Sequence, residues 1–150
     1  MALQIKEGNL FDNLEPPCVI IHGCNSKGIM GSGFALEIKK RYPDAFKAYQ
    51  NQFIHEGLKL GSMSYYQDPS GVLLINAITQ EDYGRRKDRV YVSYEAVYHA
   101  LASIADRLGN SNGIIHLPFI GGGLANGDRA LLLDIFKECF EKVDAILWLN

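Results

Sequence analysis

Short apolar runs separated by polar and glycine-rich segments dominate the hydrophobic pattern of this chain. The runs are rich in branched residues and are bounded by Gly, Pro or Asp, which is typical of strands buried on both faces of a sheet. Two further segments have the composition of edge strands. The predicted buried strands are Cys18–Ile21, Val72–Ile75, Ile114–Leu117 and Ala145–Trp148, and the predicted edge strands are Leu3–Lys6 and Met63–Gln67.

Helical periodicity lies between these runs. The clearest helix is predicted to begin after Ser93 as N-cap and to stop at Gly109, with one apolar stripe. Asp128 is the predicted N-cap of the last helix. Near the start of the chain, a helix over about Phe34–Arg41 is predicted to end before a second helix that begins at Asp44.

Strands and helices alternate along the chain, which predicts an α/β protein with three layers, α/β/α, around a mixed, mostly parallel sheet of about six strands. A chain of 150 residues is the size of one domain and can bury its own core. We find no repeat and no linker that would divide it. The expectation is therefore one domain over residues 1–150.

Composition narrows the classes of function. The net charge of −2, with 21% charged residues, provides no global basic field for nucleic acid or an anionic membrane. The three cysteines form no Cys-x-x-Cys motif, and we expect them to be inert thiols. We find no signal peptide and no apolar segment long enough to span a membrane, so we expect a cytoplasmic protein without membrane contact. The four histidines lack paired ligand spacing, so neither a metal nor a cofactor is expected. A monomer is the simplest expectation.

Two glycine-rich loops, Gly28–Gly33 and Gly121–Gly127, each follow an apolar run and precede a helical pattern. A helix N-terminus carries unpaired N–H groups and a partial positive charge, and is therefore suited to bind a phosphate. Two such phosphate-binding sites suggest a ligand that contains a diphosphate bridge. Neither loop has the dinucleotide fingerprint or the Walker pattern, which disfavours a dehydrogenase and a nucleoside triphosphatase.

Several polar residues are predicted to lie near these loops. His22 and Asn25 follow a predicted buried strand, where ligands of open α/β sheets bind. A histidine there could exchange protons near neutral pH and an asparagine could bind sugar hydroxyls; a structural histidine and a turn asparagine are the alternatives. Asp82 could polarise a water or face solvent, and Tyr83 could stack on a ligand ring or cover the core.

The run Arg85–Arg89 contains four basic residues. It could touch an extra phosphate or a nucleic-acid strand, but a solvated loop is favoured because a short basic run in an acidic chain releases few counterions.

Five motifs occur in order along the chain: Gly8-Asn9-Leu10, His22-Gly23-Cys24-Asn25, Met30-Gly31-Ser32-Gly33-Phe34-Ala35, Asn76-Ala77-Ile78-Thr79-Gln80 and Pro118-Phe119-Ile120-Gly121-Gly122-Gly123-Leu124. Together they resemble the macrodomain family. Within that family the similarity is greatest to the branch that holds the yeast ADP-ribose-1''-phosphate phosphatase and the terminal ADP-ribose protein glycohydrolase.

The resemblance implies the macrodomain fold and an ADP-ribose pocket, with Asn25 at the distal ribose and Asn9 in place of the acidic residue that usually receives the adenine amino group. A neutral acceptor there should weaken that bond by on the order of 1 kcal/mol. The implied ligand contacts are Asn9, Leu10, Gly31, Ser32, Gly33, Phe34, Ile120, Gly121, Gly122, Gly123 and Leu124.

The resemblance also bears on catalysis. The glycohydrolase branch uses a lysine and an acidic residue at positions that hold Gln80 and Ala125 here, so that lysine mechanism is not open to this chain. The predicted function is hydrolysis of ADP-ribose-1''-phosphate, with His22, Asn25 and Asp82 as candidate catalytic residues. A non-catalytic ADP-ribose reader is one alternative. A hydrolase that removes ADP-ribose from modified proteins or nucleic acid without a lysine is another.

Overall fold

The computed structural model describes residues 2–150 and builds them into one sheet with helices on both faces. The strands are β1 (Leu3–Glu7), β2 (Cys18–Asn25), β3 (Met63–Gln67), β4 (Val72–Gln80), β5 (Ile115–Pro118) and β6 (Ala145–Leu149). The helices are α1 (Gly33–Arg41), α2 (Pro43–His55), α3 (Tyr94–Leu108) and α4 (Arg129–Cys139), and a 3-10 turn covers Leu10–Asn13.

The sheet has six strands in the order β1-β6-β5-β2-β4-β3. β3 runs antiparallel to β4, and the other neighbours are parallel. The prediction of a mixed, mostly parallel sheet is therefore confirmed. Because the parallel strands share one direction, the carboxyl ends of β1, β6, β5, β2 and β4 all lie along the same edge, where ligands of such sheets bind.

Alternate residues of β2 enter opposite cores. Val19 and Ile21 are buried in a cluster with residues of α3 and α4, whereas Cys18 and Ile20 are buried in a cluster with residues of α1 and α2. This alternation follows from the two-residue period of a strand, and it is the reason why an uninterrupted apolar run indicates a strand covered on both faces. The predicted three-layer arrangement is confirmed.

The predicted helix caps are also confirmed. The hydroxyl of Ser93 accepts a hydrogen bond from the N–H of Ala96 at 3.2 Å, and the carboxylate of Asp128 accepts one from the N–H of Ala130 at 2.9 Å. α2 begins one residue earlier than predicted, at Pro43. Proline is favoured at the first helical position because its missing N–H would have no partner there.

Two central strands are longer than the apolar runs that predicted them. β2 continues to Asn25 and β4 to Gln80, and the extensions pair in parallel, with His22 opposite Asn76. The polar residues of these extensions interrupt the hydrophobic pattern, so the pattern ends the strands too early. One of these polar residues, Asn76, is nevertheless fully buried. The extensions carry the backbone up to the cleft described below.

No helix in the described part of the chain has the length and apolar content that a membrane span requires.

Candidate ligand-binding cleft

A cavity of about 590 Å³, called the main cavity below, lies at the carboxyl ends of β2, β4 and β5. This volume is within the usual range of small-molecule sites. Both glycine-rich loops contribute to its wall; Gly28–Gly33 is called the first glycine loop and Gly121–Gly127 the second. The predicted site residues that line the main cavity are Asn25, Gly31, Ser32, Gly33, Phe34, Ile120, Gly121, Gly123 and Leu124.

Asn25 organises the first glycine loop as well as lining the cavity. Its side-chain oxygen accepts hydrogen bonds from the N–H of Lys27 at 3.0 Å and from the hydroxyl of Tyr49 at 2.8 Å. Its amide nitrogen donates to the carbonyl of Ile29 at 2.7 Å. An aspartate could accept these bonds but could not donate to Ile29, which explains why an amide suits this position.

The first glycine loop delivers the N-terminus of α1 to the cavity. Ser32 precedes the helix and makes no side-chain cap hydrogen bond, while Gly33 begins it with a φ of +62°. The first N–H groups of a helix have no partner within the helix, and the helix dipole makes this end attractive to an anion. The loop therefore offers backbone donors to a negatively charged ligand.

The second glycine loop is closed by its own backbone. The N–H of Gly127 donates to the carbonyl of Gly121 at 2.7 Å, and the N–H of Gly122 donates to the carbonyl of Phe119 at 3.0 Å. Gly121 has a φ of +80°, in the left-handed region that favours glycine. These bonds hold the loop in a tight turn beside the cavity.

Asn126 ties the second glycine loop to the connection between β4 and α3. Its side-chain nitrogen donates to the carbonyls of Arg86 at 2.7 Å and of Arg89 at 2.8 Å. Asn126 has a positive φ of 59°, and asparagine tolerates this region better than most residues. The two segments on this side of the cleft are thereby joined.

A smaller cavity of about 320 Å³ adjoins the main one near the carboxyl ends of β1 and β6. Asn9, Leu10 and Phe11 line it, together with Phe34 and Arg41. The rings of Phe11 and Phe34 stack with centroids 5.2 Å apart, and the guanidinium of Arg41 lies 4.2 Å from the centroid of Phe11. This minor cavity therefore has an aromatic wall suited to a flat ring.

The two cavities have three wall residues in common, Gly33, Phe34 and Pro118. They form one elongated cleft, glycine-rich at the main cavity and aromatic at the minor cavity. The side chain of Asn9 accepts a hydrogen bond from the N–H of Phe11 at 2.9 Å and thus caps the 3-10 turn at the aromatic end.

His22 does not face the cleft, contrary to the sequence-based expectation. It lies within β2 rather than at the strand end, its side chain is fully buried, and it is absent from the walls of both cavities. Its Nε2–H donates to the side-chain oxygen of Asn76 at 2.6 Å. Burial lowers the pKa of the imidazole to about 4, against a smaller opposing effect of the Asn76 bond, so the ring is neutral at pH 7. We therefore assign it a structural role.

Asp82 and Gly122 are also absent from the walls of both cavities. The carboxylate of Asp82 accepts a hydrogen bond from the N–H of Tyr83 at 2.8 Å and pairs with Arg89 at 3.5 Å, and it lines neither cavity. Gly122 faces Phe119, whose ring carbon would lie 2.5 Å from an added Cβ. Hydrogen bonds within each loop, which a sequence pattern does not specify, hold these residues in their positions.

Further wall residues come from the segment after β4. Gln80, Tyr83, Gly84 and Arg85 line the main cavity, as does Ala125. Of these, Tyr83 and Arg85 were among the residues left open by the sequence. The signal that could have assigned them is their position just beyond the end of a central parallel strand, the same signal that selected His22 and Asn25.

The wall of the main cavity contains few charged groups. Among the described residues, its wall contains no histidine, lysine or carboxylate, and Arg85 is its one charged side chain. Burial raises the pKa of the Cys24 thiol, so this wall residue is not a thiolate nucleophile at neutral pH. Nor do the described residues include a group of three metal-ligating side chains. Apart from Arg85, the described wall residues therefore offer only backbone groups and neutral side chains.

Comparison with known proteins gave one curated relative and several solved structures. No family model matches the sequence. A curated relative, the ADP-ribose 1''-phosphate phosphatase of Aspergillus clavatus, is 31% identical over 97 residues, which span 54% of this chain and 48% of the relative. The similarity therefore extends over about half of each protein.

Solved structures match over the whole chain. A macrodomain protein from Streptomyces coelicolor superposes with a TM-score of 0.81 at 25% identity, covering 99% of both chains. The macrodomain of Thermus aquaticus DarG superposes with a TM-score of 0.82 at 22% identity, covering 99% of this chain and 98% of that one. A mutant macrodomain from Oceanobacillus iheyensis, determined with ADPR, has a TM-score of 0.71 at 16% identity and covers 99% and 85%.

The sheet order, the two glycine loops at its edge and these relatives agree with one another. This chain has the macrodomain fold.

Proposed function

We propose that this protein binds ADP-ribose in the cleft formed by the main and minor cavities. The observation that carries the proposal is the pair of adjoining cavities, which share Gly33, Phe34 and Pro118 but differ in character. A nucleoside diphosphate linked to a second sugar has the matching parts: a flat base at one end, a diphosphate in the middle and a polar sugar at the other.

Each part of the ligand has a chemically suitable partner. The diphosphate would lie at the N-terminus of α1 and against the second glycine loop, where backbone N–H groups are at hand. The adenine would lie in the minor cavity beside Phe11 and Phe34, where Asn9 offers a carbonyl oxygen to its amino group. The structure of the Oceanobacillus iheyensis macrodomain with ADPR supports this ligand.

A charge introduced into the cleft tests the proposal. Gly123 lines the main cavity, and an added Cβ there meets nothing within 4 Å. Gly123→Asp places a carboxylate near the proposed diphosphate, whereas Gly123→Asn has the same shape without the charge. Calorimetric titration with ADP-ribose should show that the aspartate variant binds about tenfold more weakly than the asparagine variant.

The wild type should bind one ADP-ribose per chain. A wild type that does not bind ADP-ribose would contradict the proposed function. Equal affinities of the aspartate and asparagine variants would show that the diphosphate does not lie beside residue 123 and would contradict the assigned orientation.

Hydrolysis of ADP-ribose 1''-phosphate is a second candidate function, favoured by the curated relative of that name. Since the main cavity has no acidic or imidazole side chain among its described wall residues, turnover would depend on positioning by Asn25, Gln80 and Arg85. Release of inorganic phosphate from ADP-ribose 1''-phosphate, compared between wild type and Gly123→Asp, tests it. Stoichiometric binding without phosphate release would leave ADP-ribose binding alone as the function.

A further inference from the structure

Arg85 combines two properties that set it apart within the basic run. It lines the main cavity, and it is the one charged side chain among the described wall residues. Because no carboxylate shares that wall, an anionic group bound beside Arg85 would meet an opposite charge without a competing like charge. The local charge at Arg85 therefore favours the binding of an anion.

The neighbouring arginines are already engaged. The guanidinium of Arg86 donates to both carboxylate oxygens of Asp88, at 3.1 and 2.8 Å. Arg89 pairs with Asp82 at 3.5 Å and lies 4.7 Å from the ring centroid of Tyr91. Among the described residues, Arg85 makes no ion pair and no side-chain hydrogen bond. Its guanidinium is available to a ligand.

The segment that carries Arg85 is held in place from two sides. Asn126 of the second glycine loop donates to the carbonyl of Arg86, and the N–H of Arg86 donates to the hydroxyl of Tyr91 at 3.3 Å. The residue directly after Arg85 is thus anchored to the cleft wall. Anchoring reduces the conformational entropy that the arginine would lose on binding a ligand.

The strand that precedes Arg85 lies on the opposite side of the cleft from the minor cavity. The minor cavity lies at β1 and β6, the shared residue Pro118 ends β5, and Arg85 follows β4. β6 and β4 are three strand spacings apart, about 14 Å. If the adenine occupies the minor cavity, the sugar beyond the diphosphate is directed toward Arg85.

We propose that Arg85 binds a phosphate carried on the distal ribose, so that the cleft prefers ADP-ribose bearing this phosphate to ADP-ribose itself. The proposal rests on the proposed function and makes Arg85 a specificity-determining residue. A guanidinium can donate two parallel hydrogen bonds to a phosphate, and such charge-assisted bonds are among the stronger ones in proteins.

The test compares two ligands on four proteins. ADP-ribose and ADP-ribose 1''-phosphate are titrated calorimetrically at 4 °C into wild type, Arg85→Gln, Arg85→Lys and Lys87→Gln, and released phosphate is assayed in the same tube. Lys87 is the matched control because it lies in the same run with the same charge but lines neither cavity. The ratio of the two dissociation constants is the readout.

The wild type should prefer the phosphorylated ligand by about tenfold, and this preference should decrease as KCl is raised. Arg85→Gln should abolish the preference, Arg85→Lys should retain part of it, and Lys87→Gln should retain all of it. A wild type that binds both ligands equally, an Arg85→Gln variant that keeps the preference, or an equal loss in Lys87→Gln would overturn the proposal. If the wild type binds neither ligand, the proposed function fails with it.

Discussion

At the scale of single residues, Gly121 and Gly123 lie two positions apart but face different constraints. Gly121 has a φ of +80°, and a Cβ added there would lie 2.6 Å from a side-chain carbon of Val92. Gly123 has nothing within 4 Å of the same added atom. The first glycine is required by backbone conformation and close approach, whereas the second is required only to the extent that a ligand needs the space.

Gly121→Ala should therefore lower the free energy of unfolding by about 1–3 kcal/mol, since it combines an unfavourable φ with overpacking. Gly123→Ala should change it by no more than about 0.5 kcal/mol. Urea unfolding at pH 7 measures both. Equal stabilities of the two variants would show that the second loop relaxes without cost around residue 121.

The buried imidazole of His22 makes stability depend on pH. Its pKa is lowered to about 4 in the folded protein, chiefly by burial, whereas an unfolded histidine titrates near 6.5. Between these values the unfolded chain binds more protons than the folded one, so stability rises with pH through this window and is lost as pH falls. His116, whose pKa is also lowered by burial, acts in the same direction.

Because of the lowered pKa of His22, the free energy of unfolding should decrease by about 2 kcal/mol when the pH falls from 7 to 5. Urea unfolding of wild type and His22→Gln should show a shallower decrease in the variant, while the exposed His55→Gln serves as control. Proton NMR of the wild type provides an independent measurement, because the His22 resonances should shift near pH 4. A midpoint near 6.5 would contradict the buried, neutral assignment.

At the scale of elements, the cleft depends on how loops are joined to strands. Asn126 in the second glycine loop holds the β4–α3 connection through two backbone carbonyls, while Asn25 holds the first glycine loop beside β2. Each asparagine uses a side chain to satisfy backbone groups that a loop leaves without ladder partners. These side chains therefore tie both glycine loops to neighbouring backbone.

Asn126→Ala should lower the unfolding free energy by about 1–2 kcal/mol and speed amide hydrogen exchange over residues 85–90, because it removes two hydrogen bonds and places alanine at positive φ. Asn126→Gly removes the same bonds without the φ penalty, so its loss of stability should be smaller. Hydrogen exchange read by mass spectrometry locates the effect. Unchanged exchange over residues 85–90 in both variants would show that Asn126 does not stabilise the connection between β4 and α3.

At the scale of the whole molecule, the cleft extends along one edge of the sheet and joins elements that are distant in sequence. Its walls include residues after β1, β2, β4 and β5 as well as the start of α1. A ligand that contacts all of these can bind only when the sheet is assembled. Binding should therefore be linked to global stability.

ADP-ribose at 100 times its dissociation constant should add about 2.7 kcal/mol to the free energy of unfolding and raise Tm by several degrees. Gly123→Asn should show a comparable increase and Gly123→Asp a smaller one at the same ligand concentration. Differential scanning fluorimetry over a range of concentrations measures the shifts. An unchanged Tm of the wild type would argue against ligand binding to the native state.

Much of the architecture could be predicted from local patterns. Branched apolar runs indicated buried strands, Ser93 and Asp128 acted as the expected caps, and alternating elements indicated three layers. The errors lie where tertiary contacts override local preference. Polar residues extended β2 and β4 because partners such as His22 and Asn76 satisfy each other in the interior, which no hydrophobic pattern records.

The sequence by itself determined the α/β class, the glycine loops before two helices and the macrodomain resemblance, because periodicity, caps and glycine positions are local properties of a chain. Only the tertiary structure decided that His22 is buried, that Asp82 pairs with Arg89 outside both cavity walls and that Arg85 is the charged wall residue of the main cavity. The direction of a polar side chain depends on which distant groups are present to bond with it, and that is known only once the sheet and its loops are assembled.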